Sequence, residues 1–178
     1  MFFVFNYLMS IIPEFPDFKG VELGDREFLN NVFRRYRPQA SEYTFTNLFI
    51  WRSYYGFEWS VYKDWVLVSC RESGGDVCGI GPVGPPSRKD VTLMFLDWMK
   101  EKNARKGARI ERADATLAAE LESSGDIRSE PARDHFDYVY LREELVRLAG
   151  NRYRSKRNYI NRLLRSYSFS YDHLQDKD

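Results

Sequence analysis

The chain of 178 residues has few of the side chains that build metal and redox centres. It contains two cysteines, Cys70 and Cys78, and two histidines, His135 and His173. These numbers exclude a disulfide framework, a zinc site and a centre built from several histidine ligands. The spacing of the cysteines suits neighbouring strands of a hairpin, where a disulfide could form, but an intracellular pair is usually reduced. We therefore predict two free thiols.

The sequence also lacks a hydrophobic run long enough to span a bilayer. Its apolar opening, residues 1–12, falls well short of the ~20 residues that a spanning helix needs. It has no basic segment of the kind that begins a secretory signal. We expect this segment either to pack on the body of the protein or to extend a chain that begins at Met9. The expectation is a cytoplasmic protein with no membrane span.

The composition is that of an ordered protein rich in aromatic residues. Hydrophobic residues make up 43% of the chain, charged residues 30% and aromatic residues 16%, so a large core is expected. Apolar spacings of three and four indicate helices, and alternation between turn signals indicates strands. The predicted helices span residues 25–37, 46–55, 87–106, 114–123, 142–148 and 152–166. The predicted strands span residues 57–62, 65–71, 77–80, 108–112, 136–141 and 166–171.

Two segments between these elements are interpreted as irregular. Residues 79–86 are rich in glycine and proline, which helices and central strands tolerate poorly, so they are predicted to form a loop. Residues 71–76 superficially resemble the pyrophosphate loop of GNAT acyltransferases. Their last position is Asp76, however, and they lie in a predicted hairpin, so a turn is the better interpretation. The order of the elements indicates an α+β protein with a mixed sheet.

The charge distribution is the sharpest feature of the chain. Between Leu145 and Arg165 there are seven cations and no acid, whereas the whole chain has a net charge of +1, so the other residues together carry −6. The seven cations are Arg147, Arg152, Arg154, Lys156, Arg157, Arg162 and Arg165. Such a separation, directly after the apolar run at residues 137–141, indicates an anion site rather than a generally basic protein.

One lysine of this stretch occupies an unusual position on the predicted helix. A helical wheel gathers an apolar arc from Tyr153, Ile160, Leu163, Leu164 and Tyr167, and Lys156 falls inside that arc. A lysine aimed at a core is costly unless its amine reaches water or meets an anion. Free backbone N–H groups and the positive dipole end of the first turn suit phosphate. Two interpretations stay open: a phosphate ligand, or a lysine stem that lies over apolar surface with its amine in water.

The neighbours of Lys156 add groups that suit an anion. Arg157 lies at the edge of the apolar arc, and the far side of the helix carries Arg154, Asn158, Asn161 and Arg165. The two asparagines provide amide donors. Two tyrosines on the predicted strand 136–141, Tyr138 and Tyr140, provide either phenols and a stacking face or half-buried core residues.

Four segments of the chain resemble motifs of a known family. They are residues 41–52 (SEYTFTNLFIWR), 81–84 (GPVG), 137–140 (DYVY) and 148–158 (LAGNRYRSKRN). In this order they resemble a bacterial and archaeal family of unknown function that is related to the C-terminal domain of phosphatidylglycerol lysyltransferase. The resemblance runs from about residue 13 to residue 171.

The resemblance implies a duplicated GNAT-like fold, which is an α+β fold with a mixed, largely antiparallel sheet flanked by helices. Residues 1–134 would form a first GNAT-like domain, and residues 135–178 would begin a second, incomplete one, because family members are nearly twice as long. It further implies aminoacyl or acyl transfer to an amine or hydroxyl acceptor, with aminoacyl-tRNA or acyl-CoA as the donor. Lys156 and Arg157 would then contact a phosphate or the acceptor end of tRNA.

No general base is predicted. Arg152 and Arg154 stand where the family often has lysine and histidine, which keeps the charge but removes an acid–base histidine from these positions. The isolated carboxylates Glu42, Glu111 and Asp114 are interpreted as surface or capping groups. No metal or resident cofactor is predicted.

Two other functions remain open at this stage. The helix at residues 152–166 could form a non-catalytic module that binds tRNA, other RNA or a nucleotide phosphate. Alternatively, the chain could be a structural half-domain that associates with a partner or forms a homodimer. In that case Ile160, Leu163 and Leu164 are expected to be exposed.

Overall fold

The computed structural model describes residues 11–71, 75–103, 107–122, 125 and 127–172. The chain divides into two compact units, residues 1–137 and residues 138–178, and each is described by itself. Some predictions fall outside the described residues: most of the apolar opening, part of the turn at residues 71–76, and the end of the helix predicted to reach residue 106. In the part of the chain that the structure describes, no helix combines the length and apolar character needed to cross a membrane.

All six predicted helices are present, with ends that differ by a few residues from those expected. The first unit contains α1 (Arg26–Tyr36), α2 (Phe45–Tyr55), α3 (Lys89–Lys102) and α4 (Ala115–Glu122). The second unit contains α5 (Arg142–Arg147) and α6 (Arg154–Ser166). Helix α2 begins one residue before its predicted start at residue 46, because Thr44 is the N-cap and its hydroxyl accepts a hydrogen bond from the Asn47 amide at 3.1 Å.

The first unit is built on a five-stranded sheet. Its strands are β1 (Lys19–Gly20), β2 (Glu58–Tyr62), β3 (Trp65–Arg71), β4 (Val77–Val83) and β5 (Ile110–Glu111), and they lie side by side in that order. The pairs β1–β2, β2–β3 and β3–β4 are antiparallel, whereas β4 and β5 are parallel. The predicted antiparallel meander of β2, β3 and β4 is therefore confirmed.

Helices cover both faces of this sheet. Successive residues of β3 point to opposite faces, so Val66 and Val68 join one core with Leu29 of α1 and Leu48 of α2. On the other face, Leu67 packs in a second core with Phe95 and Met99 of α3. The architecture is thus the predicted α+β arrangement, a largely antiparallel mixed sheet flanked by helices, as in GNAT-like folds.

The predicted loop at residues 79–86 is wrong over its first half, because β4 continues to Val83. Three residues of β3, from Val66 to Val68, stand opposite four of β4, from Ile80 to Val83, so β4 contains a bulge. A bulge tolerates Pro82, whose missing N–H would break a regular ladder. On its other side β4 pairs with β5 only at Gly79 and Ile80.

The predicted strands 136–141 and 166–171 are also wrong. Neither segment forms a strand in the described part of the chain. The tyrosine at position 138 is 88% exposed and Val139 is 87% exposed, so the apolar run there is not buried as a core strand would be. Hydrophobic alternation predicted strands, but a strand also needs a neighbour to pair with, and the described residues offer none.

The two cysteines are joined, contrary to the prediction of free thiols. Cys70 of β3 and Cys78 of β4 are register partners with a Cα–Cα distance of 5.0 Å, and their sulfur atoms form a disulfide. Directly opposed cysteines on antiparallel strands have the separation that a disulfide requires. A carboxylate oxygen of Glu111 and the two sulfur atoms lie within 4.8 Å of one another, but bonded sulfurs are not thiolate ligands.

Candidate functional site

The candidate anion-binding helix of the second unit, α6, is set in place by a sharp turn. Helix α5 ends at Arg147, and its C-cap residue Leu148 has φ 47°, in the left-handed conformation. Gly150 has φ 79°, in the region that favours glycine, and is followed by a 3-10 turn at Asn151–Tyr153. A side chain at position 150 would strain this turn, so the glycine fixes where α6 begins.

Arg157, one of the predicted phosphate ligands, holds this turn together. Its Nη1 atom donates hydrogen bonds to the carbonyl oxygens of Gly150, at 2.8 Å, and Leu148. Carbonyl groups at the end of a helix lack partners within the helix, and a guanidinium group supplies them. The structure therefore gives Arg157 a local role in this turn, and its contact with phosphate stays a prediction.

A second set of contacts anchors α6 to α5. Tyr153 is buried, and its hydroxyl donates a hydrogen bond to Glu144 at 2.9 Å. Desolvation and this hydrogen bond raise the pKa of Tyr153. The guanidinium of Arg152 lies 3.5 Å from the Glu144 carboxylate and 5.7 Å from the centre of the Tyr140 ring. Tyr140 is therefore engaged by a cation, whereas Tyr138 extends away from these contacts.

The other predicted ligands lie on the surface of α6. Arg154, Lys156, Asn158 and Asn161 are all exposed, and within the described residues their side chains make no hydrogen bond or ion pair. Because residues 154–166 form one helix, Arg154, Asn158 and Asn161 share a face with Arg165. Lys156 stands instead on the face of Ile160 and Leu163, each 45% exposed. The structure thus brings one arginine and two asparagines of the prediction together and leaves Lys156 beside apolar side chains.

The first unit has a separate cleft that the sequence did not reveal. It encloses about 320 Å³ between the end of α1, the segment after β4, and α4. Its charged centre is Arg88, whose guanidinium donates two hydrogen bonds to Asp114, at 2.7 and 2.8 Å. Glu120 accepts hydrogen bonds from the Arg88 amide at 2.6 Å and the Ser87 hydroxyl at 3.0 Å. These residues are far apart in sequence, so no spacing could have paired them.

Tyr43 connects two of the motifs, residues 41–52 and residues 81–84, and the second of these borders the cleft. This residue is buried, and its hydroxyl donates a 2.6 Å hydrogen bond to the Gly81 carbonyl. Burial is the main cause that raises the pKa of Tyr43, and the nearby Asp114 adds to it. The predicted capping role of Asp114 is confirmed, since its Oδ1 accepts a hydrogen bond from the Leu117 amide at 2.9 Å in the first turn of α4.

We expect the Arg88–Asp114 pair to stabilise the fold at neutral pH but not in strong acid. The hydrogen bond from Arg88 holds the pKa of Asp114 below its ordinary value. A carboxyl group of this kind contributes stability that is complete above its unfolded pKa of about 3.9 and is lost as the pH falls through its folded pKa. Asp114→Asn should therefore cost about 1.5–3 kcal/mol at pH 7, the usual value of charged hydrogen bonds, and progressively less below pH ~4.

Urea denaturation of both proteins between pH 3 and pH 7 measures this difference. Asp97→Asn is the matched control, because Asp97 forms an exposed pair with Lys100 and such pairs contribute little. A cost of Asp114→Asn that is the same at pH 3 and pH 7 would contradict the prediction.

Comparisons with known proteins agree with these features. No curated protein matches the chain. A solved structure, a conserved protein of unknown function from Bacteroides thetaiotaomicron VPI-5482, is similar with a TM-score of 0.68 and 28% sequence identity. The similarity covers 84% of this chain and 50% of that one, so this chain spans half the length of its relative. The family model described as "Phosphatidylglycerol lysyltransferase, C-terminal" matches residues 33–178, which is most of the chain. The chain therefore belongs to the family of the phosphatidylglycerol lysyltransferase C-terminal domain.

Proposed function

We propose that this chain is part of an aminoacyl or acyl transferase and that α6 binds the anionic part of the donor. Membership of a lysyltransferase-related family supports transfer of this kind. The reaction joins the acceptor's amine nitrogen or hydroxyl oxygen to the donor's carbonyl carbon. The ester bond of aminoacyl-tRNA or the thioester bond of acyl-CoA breaks, and the acceptor's proton passes to the leaving oxygen or sulfur.

The observation that carries the proposal is a surface of free cations on α6. No acid lies between Leu145 and Arg165, and in the described structure Arg154, Lys156 and Arg165 form no ion pair. Partnerless cations on one helix repel one another unless an anion lies near them. Phosphate oxygens suit them, because guanidinium groups bind phosphate through two parallel hydrogen bonds and asparagine amides add further donors.

On this proposal the chain acts by positioning and by charge stabilisation. Donor phosphates held by Arg154, Asn158 and Asn161 would fix the donor carbonyl relative to the acceptor. Lys156, on the same face of α6 as Ile160 and Leu163, would stabilise the negative charge that develops at the donor carbonyl. We name no general base, since no described residue of the second unit has the geometry of one.

Removal of two cations from α6 should weaken RNA binding and reduce its salt dependence. For the double variant Arg154→Ala/Arg165→Ala, the slope of log affinity against log salt concentration should fall by roughly 1.4, which is about 0.7 for each lost phosphate contact. Fluorescence anisotropy with deacylated tRNA measures this slope. The matched control is Arg26→Ala/Arg34→Ala, which removes two exposed cations from α1 and should leave the slope unchanged.

Variants of α6 distinguish the transferase hypothesis from the two alternative functions. If the protein is a transferase, Lys156→Ala in a longer relative should abolish transfer from aminoacyl-tRNA while the affinity for RNA falls only several-fold. If the affinity falls and the unaltered protein shows no transfer activity, α6 is an RNA-binding module. An unchanged salt slope in the double variant would contradict both. The structural half-domain would then be favoured, since Ile160, Leu163 and Leu164 are 45%, 45% and 60% exposed.

A further inference from the structure

A small cavity lies in the first unit, apart from the cleft around Arg88. It encloses about 90 Å³, enough for several water molecules. Its lining residues are Glu42, Asn47, Trp51, Tyr55, Phe57 and Arg112. Three of them, Glu42, Asn47 and Trp51, belong to the motif at residues 41–52, so that motif supplies half of the lining. The proposed donor site on α6 does not use any of these residues.

Arg112, which lines this cavity, has an unusual backbone conformation and a buried side chain. Its φ is 55°, in the left-handed region that residues with side chains seldom adopt. Its side chain is only 9% exposed, and its buried Nε atom lies close to the Glu42 carboxylate without the geometry of a hydrogen bond. Buried donors are nearly always satisfied, and strained backbone of this kind is concentrated at functional sites. Together with the cavity, this backbone conformation and the buried guanidinium mark a candidate binding site.

The groups around Arg112 define the chemistry of that ligand. Glu42 Oε1 lies 3.3 Å from Nε as an ion pair, so the base of the cavity carries no net charge. The guanidinium lies 4.8 Å from the centre of the Tyr55 ring. Glu42 would repel an anion and Arg112 would repel a cation, whereas a neutral group with hydrogen-bond donors and acceptors side by side suits both residues.

Trp51 adds an aromatic surface at the opening of the cavity. It is 49% exposed, although tryptophan is usually buried on average. Asn47 is fixed beside it, because its Nδ2 atom donates a 2.7 Å hydrogen bond to the Ser41 carbonyl, which leaves its side-chain oxygen as an acceptor. Exposed aromatic rings next to paired donors and acceptors are the usual way in which proteins bind unstacked nucleobases.

We infer that this cavity binds the edge of a nucleobase whose ring stacks on Trp51. The base donates hydrogen bonds to Glu42 and accepts one from Arg112. Guanine fits best, since it presents an acceptor oxygen next to two neighbouring N–H donors, and a carboxylate can accept both. Adenine and cytosine offer one donor in the same place and bind more weakly.

Uncharged nucleosides test this site without involving the phosphate-binding surface of α6. Guanosine, adenosine, cytidine and uridine are titrated separately, and the NMR signal of the Arg112 Nε–H group is followed. Guanosine should shift this signal and bind at least ten-fold more tightly than the other three. If no nucleoside shifts it, or if all four bind equally, the inference fails, whatever the outcome of the salt experiment on α6.

Two variants on one helix show whether stacking is involved. Trp51→Ala should weaken guanosine binding about ten-fold or more, in line with the usual contribution of base–aromatic stacking. Ile50→Ala is the matched control, because Ile50 is a 58% exposed apolar residue of α2 that does not line the cavity, whereas the Tyr54 ring lies against Trp51. Circular dichroism checks that both variants are folded. If both are folded and both weaken guanosine binding equally, the inference is overturned. Glu42→Gln should remove the preference for guanosine.

Discussion

Replacing Asp25 by alanine is expected to lower the free energy of unfolding by about 3–5 kcal/mol, the usual cost of breaking a buried charged pair. Asp25 is fully buried, and its carboxylate lies 2.7 Å from the Lys19 amine. It also accepts hydrogen bonds from the Trp59 indole at 3.0 Å and from the Glu22 amide at 2.8 Å. Alanine leaves these donors without their acceptor and opens a void beside the buried indole.

Urea denaturation at pH 7 measures this cost. Asp97→Ala is the control, because it removes an exposed carboxylate on α3 that pairs with Lys100, and its cost should stay within about 0.5 kcal/mol. The cost of Asp25→Asn should lie between the costs of Asp25→Ala and Asp97→Ala, since the amide keeps one acceptor oxygen but loses the negative charge that pairs with Lys19. A cost below about 1 kcal/mol for Asp25→Ala would show that solvent or other groups replace the carboxylate.

The role of Asp25 marks the limit of sequence-based prediction for local structure. The sequence predicts a helix that begins at residue 25, and Asp25 is the residue that precedes α1. Its side chain makes no capping hydrogen bond to α1, however, and instead accepts hydrogen bonds from the Glu22 amide and from Trp59, a residue 34 positions further on. Apolar periodicity locates the helices because it reports burial along one element, whereas the partner of a buried carboxylate depends on how distant elements pack.

The same reasoning explains the errors among the strands. Residues 136–141 are as apolar as β3, yet β3 has a neighbour on each side and the described structure gives residues 136–141 none. Conversely, Pro82 lies in β4 because a bulge accommodates it. The disulfide follows from the register of β3 and β4, which the sequence suggested, and from a redox state, which it does not encode.

For the candidate sites, sequence reasoning was informative only where the residues are close in the chain. The cations of α6 lie on consecutive turns of one helix, so the local composition of the sequence alone locates them. Arg112 and Glu42 are 70 positions apart and meet only because β5 and the segment before α2 are neighbours in the fold. The sequence interpreted Glu42 as an ordinary surface carboxylate, and the structure corrects this, since Glu42 pairs with a buried guanidinium.

One close approach in the second core joins Gly79 of β4 and Phe95 of α3. A Cβ atom at position 79 would lie 2.5 Å from the Phe95 ring, so Gly79→Ala should cost about 1–3 kcal/mol through overpacking. Phe95 is fully buried, and Phe95→Ala should cost about 3–5 kcal/mol because it leaves a cavity. Each variant alone damages the contact, one by adding atoms and the other by removing them.

The double variant tests whether these two costs have one origin. Without the Phe95 ring, a methyl group at position 79 meets its next neighbour, Ile110, at 3.1 Å and fills part of the void. The double variant should therefore be less destabilised than the sum of the single variants, by at least about 1 kcal/mol, as is usual for residues in contact. Urea denaturation of all four proteins gives the coupling energy. Strict additivity would mean that α3 shifts away from β4 in Gly79→Ala, and that the close approach of helix and sheet is not what requires a glycine there.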